Sequence, residues 1–158
     1  MGLVAWKVAV YKRLPRPLQL RAVRLATPNF TVGAIGLVTD DGARLLLVRP
    51  AYRDGWLPPG GFLARGETPV QALQREVREE LGLTMEFAEP HRVYFDLRRQ
   101  GVTFISVGVV PVGTQGRIRS AELDEVGWFA LDALPRLPND FHEGLPEEDL
   151  EAVRRAGS

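Results

Sequence analysis

One segment constrains the fold more firmly than any other part of the chain. Thr68 is a good N-cap residue, Pro69 suits the first helical position, and Gln71 stands three residues after the cap, as in a capping box. Gly82 follows the last apolar position, where glycine commonly ends a helix. The sequence therefore predicts a helix over residues 69–81 with defined residues at both ends.

This predicted helix has an apolar side and an acidic side. At about 100° per residue its apolar residues form one stripe that must face a core. They are Val70, Leu73, Val77 and Leu81. Glu76, Glu79 and Glu80 have the spacings i, i+3 and i+4, so their carboxylates project from a neighbouring patch. Three like charges repel one another, and hard oxygen ligands of this kind suit Mg²⁺ or Mn²⁺.

The residues around the helix favour a metal site over a merely solvated acidic face. Taken alone, the three glutamates would be read as a surface paired with Arg75 and Arg78. Just upstream, however, Gly60 and Gly61 form a backbone without side chains that can approach a metal ion or a phosphate closely. Glu67 adds a fourth acid at the helix entrance. Metal ligands, and a backbone that can approach the metal ion or a phosphate closely, are therefore expected within one short segment.

Short strands are predicted on both sides of this helix. Residues 30–39 are rich in β-branched residues, turn residues follow at 40–42, and residues 44–48 form a second apolar run, which predicts a β-hairpin. A loop is predicted over residues 49–64, and a short terminal helix begins near Pro146. Further strands are predicted over residues 93–97, 102–110 and 125–130. This order indicates a mixed β-sheet with helices on its faces.

Length and composition indicate one globular domain of ordinary size. The chain has 158 residues, of which 45% are hydrophobic and 25% charged, and no apolar run reaches the roughly 18 residues of a membrane span. The formal net charge is zero, which argues against a nucleic-acid partner, and the absence of cysteine excludes thiolate chemistry. We expect a cytoplasmic protein without a membrane span; a homodimer is left open.

The first 27 residues are predicted to be an extension packed on a domain that spans residues 28–158. No acid precedes Asp40, and prolines interrupt the mixed apolar and basic pattern, so one or two short helices are expected over residues 3–25. An amphipathic cover with its basic side chains in solvent is the favoured interpretation. A membrane-surface or RNA-contacting arm is the alternative.

Residues 61–83 resemble the complete Nudix box, G-x5-E-x7-R-E-U-x-E-E-x-G-U, where U is apolar. Gly61 is followed after five residues by Glu67 and after seven more by Arg75, and every specified position matches. Such a match is far more specific than a short glycine pattern. The resemblance implies the Nudix fold, an α/β/α sandwich of the mixed α/β (α+β) class. It also implies a MutT-like hydrolase that uses Mg²⁺ or Mn²⁺ to cut a phosphoric anhydride bond in a nucleoside diphosphate derivative.

The resemblance assigns roles to residues of the box. The implied metal ligands are Glu76, Glu79, Glu80 and the main-chain carbonyl of Gly60. Arg75 would orient a box glutamate by hydrogen bonding, and Glu67 would support the site from the helix entrance. The base that takes the proton of the attacking water would be a box glutamate or an acid from a later loop. Glu122 and Glu125 are the nearest such acids.

Substrate contacts follow only from residue type. Trp56 can stack on a base, or it can be a core aromatic residue. Arg49 and Arg53 can bind phosphates, or they can be charges in solvent. His91 and His142 lie outside the box, have no partner at ligand spacing and are expected to be incidental. The substrate, whether a nucleoside triphosphate or diphosphate, a nucleotide sugar or a similar molecule, is left open.

The alternative function is a noncatalytic nucleotide-binding module on the same fold. A fold does not fix a function, and regulatory relatives of this kind usually lose box acids. Here every box acid is present, which favours an enzyme.

Overall fold

The computed structural model describes residues 15–40, 44–138 and 145–157. Within these ranges the helices are α1 (Arg16–Ala26), α2 (Pro69–Leu81) and α3 (Glu147–Ala156). The strands are β1 (Thr31–Asp40), β2 (Arg44–Pro50), β3 (Gly60–Phe62), β4 (Arg92–Asp96), β5 (Gly101–Val109) and β6 (Leu123–Ala130). Every helix and strand expected inside the described ranges is present, with ends that differ by a few residues.

The strands form one mixed sheet. Its order is β4-β5-β1-β2-β6, and β3 pairs with β1 as well. β1 and β5 run parallel from Thr31 opposite Gly101 to Thr39 opposite Val109, whereas the other strand pairs are antiparallel. The predicted hairpin of β1 and β2 is confirmed by their antiparallel pairing, and its turn, residues 41–43, lies outside the described residues.

The prediction of a loop over residues 49–64 was wrong at one point, because this segment contains β3. Gly60 lies opposite Ile35, and Gly61 opposite Ala34. A Cβ atom on Gly60 would overlap the carbonyl oxygen of Ala34, so only glycine lets the two backbones pair this closely. The glycines that suggested a loop therefore allow β3 to pair with β1.

Helices cover both faces of the sheet. On one face α2 buries Leu73, Val77 and Leu81 against strand residues such as Leu46. On the other face α3 buries Val153 against residues such as Leu47. The expected α/β/α sandwich is confirmed.

The ends of α2 are those that the sequence predicts. The side chain of Thr68 accepts a hydrogen bond from Gln71 N, and the side chain of Gln71 accepts one from Thr68 N, which completes the capping box. Gly82 ends the helix with a left-handed φ of 68°, a conformation that favours glycine. The helix is thereby held in register with the loop before it.

The N-terminal segment is described only from residue 15. One helix, α1, lies inside the predicted helical region, and residues 3–14 fall outside the described residues. Leu18, Leu20 and Leu25 of α1 are exposed, and Leu25 is 89% exposed. The packing of residues 1–27 on the domain stays a prediction. No helix in the described ranges is long and apolar enough to cross a membrane.

Candidate active site

Arg75 ties the middle of α2 to the loop that precedes it. Its Nε and Nη2 donate to the two carboxylate oxygens of Glu67 at 2.8 and 3.0 Å, and Nη2 also donates to the carbonyl of Phe62 at 3.0 Å. Its Nη1 donates to Oε1 of Glu76 at 2.7 Å. Such charge-assisted hydrogen bonds are stronger than neutral ones, and they also fix the relative positions of the groups that they join. One guanidinium thus sets the position of two box acids.

Glu67 is held as a carboxylate by these contacts. The hydrogen bond from Arg75, followed by one from the Ala64 amide at 2.7 Å, lowers the pKa of Glu67 to about 2. In turn, the hydrogen bonds to Glu67 and then to Glu76 raise the pKa of Arg75. This ion pair therefore persists at neutral pH, and Glu67 closes the turn before α2.

Gly61 lies directly beneath a box glutamate. A Cβ atom added to Gly61 would overlap Oε1 and Cδ of Glu76. Because Gly61 pairs with Ala34 at the centre of the sheet, β3 presents a bare backbone to that carboxylate. Backbone and carboxylate can approach one another here only because the side chain is missing.

Glu80 is a half-buried carboxylate with an unusual environment. Its Oε2 atom is buried and has no hydrogen-bond partner among the described residues. Burial, followed by the charges of Glu76, Glu122 and Glu79, raises the pKa of Glu80 to about 7. A buried oxygen surrounded by like charges is costly unless a cation or proton compensates it.

Glu122 is brought to this patch by the loop before β6. Arg119 N donates to the carbonyl of Glu80 at 2.8 Å, so the loop follows the C-terminal end of α2. The carbonyl of Glu122 accepts a hydrogen bond from Ala51 N at 2.8 Å, just beyond β2. Glu122 therefore joins the box glutamates from outside the box, and its charge contributes to the raised pKa of Glu80.

The four carboxylates share a patch without forming a closed cage. Among the described residues, no group of three or more His, Asp or Glu side chains converges closely enough to hold a metal ion. Glu76 is turned toward Arg75, and Glu79, 58% exposed, has its Oε2 3.5 Å from Arg75 Nη1. The orphaned oxygen of Glu80 and the oxygen-only donor set nevertheless fit a hard divalent cation.

The other residues predicted at the site have different surroundings. Trp56 packs edge-on against Phe129, with ring centroids 4.7 Å apart, as part of the core on the α3 side. Arg49 forms ion pairs with Glu125 at 2.5 Å and with Asp124 at 3.5 Å. The structure thus places Glu125 with Arg49 rather than beside Glu80.

Arg53 lies at a separate cavity. The cavity is lined by three arginines, which are Arg53, Arg99 and Arg136. Residue type alone did not indicate this grouping, because the three arginines come from loops far apart in the sequence.

His91 has a buried partner that the sequence did not indicate. Its Nε2 lies 2.9 Å from Oδ1 of Asp149 on α3, and Arg92 donates from Nε to the same oxygen at 2.9 Å and from Nη2 to Oδ2 at 2.5 Å. The hydrogen bond to Asp149 raises the pKa of Arg92. His91 therefore belongs to a network that anchors α3 to β4, and His142 lies outside the described residues.

Comparison with known proteins identifies the family. Residues 28–155 match the NUDIX domain family. A MutT-like protein of Streptomyces ambofaciens is 35% identical over 66% of this chain and 67% of its own length. The NAD-capped RNA hydrolase NudC of Pseudomonas aeruginosa is 30% identical over 83% of this chain, which spans only 47% of that relative.

A solved structure agrees with these sequence matches. The crystal structure of a MutT NUDIX hydrolase from Burkholderia pseudomallei has a TM-score of 0.60 at 28% identity, over 80% of this chain and 99% of that chain. The fold, the intact box and the family match agree, and this chain belongs to the NUDIX family of hydrolases.

Proposed function

We propose that the chain is a metal-dependent pyrophosphohydrolase that cleaves a phosphoric anhydride bond in a nucleoside diphosphate derivative. The observation that carries the proposal is the buried Oε2 of Glu80, which lacks a partner among the described residues while three other carboxylates surround it. A cation at this patch would compensate charges that otherwise repel. Side-chain oxygens of this type favour Mg²⁺, with Mn²⁺ as the substitute.

The proposed ligands are the box glutamates Glu76, Glu79 and Glu80 together with the carbonyl of Gly60. When bound, the divalent ion supplies charge neutralisation for the bridging phosphates and makes water a better nucleophile. Arg75 is a positioning residue in this scheme, because it holds Glu76 and Glu67 through the same guanidinium. The bare backbone at Gly61 leaves room for the carboxylate of Glu76 itself, which could not lie there beside a side chain.

Glu122 is proposed as the residue that accepts the proton of the attacking water. It faces the box patch from another loop, and its own side chain belongs to none of the hydrogen bonds described above. A carboxylate from outside the metal-ligand set can take the proton on a side-chain oxygen while the box acids stay ionised. Glu80, the buried alternative, combines the roles of ligand and base less easily.

The substrate class is supported by the relatives rather than by a pocket. One relative is named as a hydrolase of NAD-capped RNA, and another is named as an 8-oxo-dGDP phosphatase. Both molecules share a diphosphate attached to a nucleoside. We propose the same shared unit as the substrate of this chain, with action in the cytoplasm and the hydrolase domain at residues 28–158.

A panel of substrates tests the proposal. The protein would be incubated with Mg²⁺ in ¹⁸O-labelled water together with nucleoside triphosphates and diphosphates, nucleotide sugars, dinucleotides or a 5′-capped oligonucleotide. The masses of the products would be measured by mass spectrometry. We expect one class to be cleaved at the anhydride, with the label in a single product that identifies the attacked phosphorus. Absence of metal-dependent turnover, with nucleotide binding retained, would instead support a noncatalytic module.

A further inference from the structure

One edge of the sheet is formed by a strand whose middle is apolar on both faces. β4 stands at the end of the strand order, and among the described strands it pairs with β5 alone. Val93, Tyr94 and Phe95 are 40%, 47% and 59% exposed, and Leu97, just beyond the strand, is 75% exposed. Apolar side chains grouped on an exposed edge mark a site of interaction more often than a solvated surface.

This edge lacks the features that usually keep a sheet edge from pairing with another chain. Protected edges carry lysine or proline, or a bulge that interrupts the register. The sequence of β4 is Arg-Val-Tyr-Phe-Asp, and its pairing with β5 is regular from Arg92 to Asp96. Its two charged residues stand at the ends of the strand. The three central residues therefore leave the outer backbone groups of β4 open to a further strand.

The strand is also held in position by its own chain. Arg92 Nε donates to Oδ1 of Asp149 at 2.9 Å, and Asp149 is fully buried on α3. At the other end, Oδ1 of Asp96 accepts hydrogen bonds from Arg98 N and Arg99 N, each at 3.0 Å, which fixes the turn between β4 and β5. An ordered strand loses little conformational freedom when another strand pairs with it.

The sequence of β4 complements a second copy of itself. A two-fold axis normal to the sheet keeps each face on its own side, so residues that stand opposite one another across an antiparallel pair are separated by an even number. The register centred on Tyr94 pairs all five residues. It places Arg92 opposite Asp96 of the second copy and Val93 opposite Phe95 of the second copy. Opposite charges and apolar side chains therefore meet, and no like charges face each other.

We propose that two copies of this chain associate through their β4 strands, in the antiparallel register centred on Tyr94, and so continue the sheet across a two-fold axis. The main-chain hydrogen bonds of this pairing join edge groups that otherwise bond to water. A second copy is favoured over another protein because one set of five residues supplies both halves of the match. The inference does not depend on the hydrolase, since β4 carries none of the residues proposed at the box.

Sedimentation equilibrium over a range of protein concentrations tests the association. Strand pairing over five residues makes a small interface, so we expect the wild type to shift from one chain to two as concentration rises. Tyr94→Lys would place two lysines opposite one another on the axis and should raise the dissociation constant by at least about tenfold. Tyr52→Lys is the matched control, because Tyr52 is 73% exposed away from β4. A wild type that stays monomeric, or equal weakening by the control, would overturn the inference.

Introduced cysteines test the register, since the chain has no cysteine of its own. Residues directly opposite in antiparallel strands have Cα atoms about 4.5 to 5.5 Å apart, which lies within the range of a disulfide. On mild oxidation Tyr94→Cys should therefore form a covalent dimer, and Tyr52→Cys should not. This measurement also replaces the lysine variant if Tyr94→Lys does not fold.

Two further variants distinguish the proposed register from an unspecific contact between edges. Val93→Cys and Phe95→Cys should cross-link to each other in a mixture at least about tenfold faster than either cross-links to itself, because residues 93 and 95 of different copies stand opposite one another. Self-cross-linking as fast as in the mixture, or a Tyr94→Cys variant that cross-links no faster than Tyr52→Cys, would refute pairing in this register.

Discussion

Arg75 and Glu67 are joined by two parallel hydrogen bonds, at 2.8 and 3.0 Å, that run from the middle of α2 back to the loop before it. The same guanidinium also holds Glu76 and the carbonyl of Phe62. One side chain therefore sets the geometry between the box helix and β3. The proposed metal ligands depend on a residue that need not touch the metal.

Replacing Arg75 by lysine keeps the positive charge and removes the planar guanidinium, which donates several hydrogen bonds at once. Lysine cannot bond Glu67 bidentately and reach Glu76 and Phe62 as well, so Glu76 should lose its fixed position. We expect hydrolysis or Mg²⁺ affinity to fall by about 10- to 100-fold. A Mg²⁺ titration of the initial rate measures this, with the exposed Arg78→Gln as control. An unchanged Mg²⁺ dependence would refute the positioning role.

Gly61→Ala tests the close approach at β3. The added methyl group would overlap Oε1 of Glu76, so the carboxylate or the strand must move. We expect kcat to fall by at least about tenfold with the fold intact by circular dichroism. Gly101→Ala is the matched control, because its Cβ would meet only ordinary contacts at 3.8 Å. Full activity of Gly61→Ala would show that the bare backbone is dispensable.

Glu80→Gln should stabilise the metal-free protein while it destroys activity. Burial and neighbouring acids raise the pKa of Glu80 to about 7, above its ordinary value of 4.5. Its contribution to stability is therefore present below pH 4.5 and is lost as pH rises through 7.

Thermal melts in EDTA measure this effect. At pH 8 the glutamine variant should melt about 2 to 4 °C higher than the wild type, and at pH 4 the two should coincide. Glu89→Gln, an exposed acid, should change neither value. A lower melting temperature at pH 8 would mean that the Glu80 charge is already compensated within the protein.

Asp149→Asn should destabilise the fold rather than the chemistry. Asp149 is fully buried and accepts from Arg92 and faces His91, so the neutral variant leaves a guanidinium without its counter-charge. We expect a loss of about 3 to 5 kcal/mol in the free energy of unfolding, measured with urea. Glu151→Gln on the same helix is the exposed control. Equal stability of the two variants would contradict an anchoring role.

The sequence was most informative where local chemistry decides structure. The capping box at Thr68, the glycine end at Gly82 and the apolar stripe that includes Leu73 and Val77 act within a few turns of chain, so the helix could be predicted to the residue. The spacing of the box acids also follows from helical geometry alone. Their conformations do not, because Arg75 rather than the spacing decides where Glu76 points.

Contacts between distant segments could not be predicted. Asp149 is one of several acids in the first turn of α3, and only the packing of α3 beside β4 shows that it is buried with Arg92. Similarly, Glu122 and Glu125 were both candidates for the base, and the strand register separates them by placing Glu125 opposite Arg49. Long-range packing, rather than residue type, decides both cases.

The most direct test of the account is the hydrolysis rate of the best substrate with Mg²⁺, for the wild type and for the paired Glu79→Gln and Glu80→Gln variant. We predict turnover that EDTA abolishes and Mg²⁺ restores, and a loss of at least about a thousandfold in the variant. Hydrolysis that persists in EDTA, or a variant that keeps the rate of the wild type, would contradict the claim that box carboxylates hold the metal on which cleavage depends.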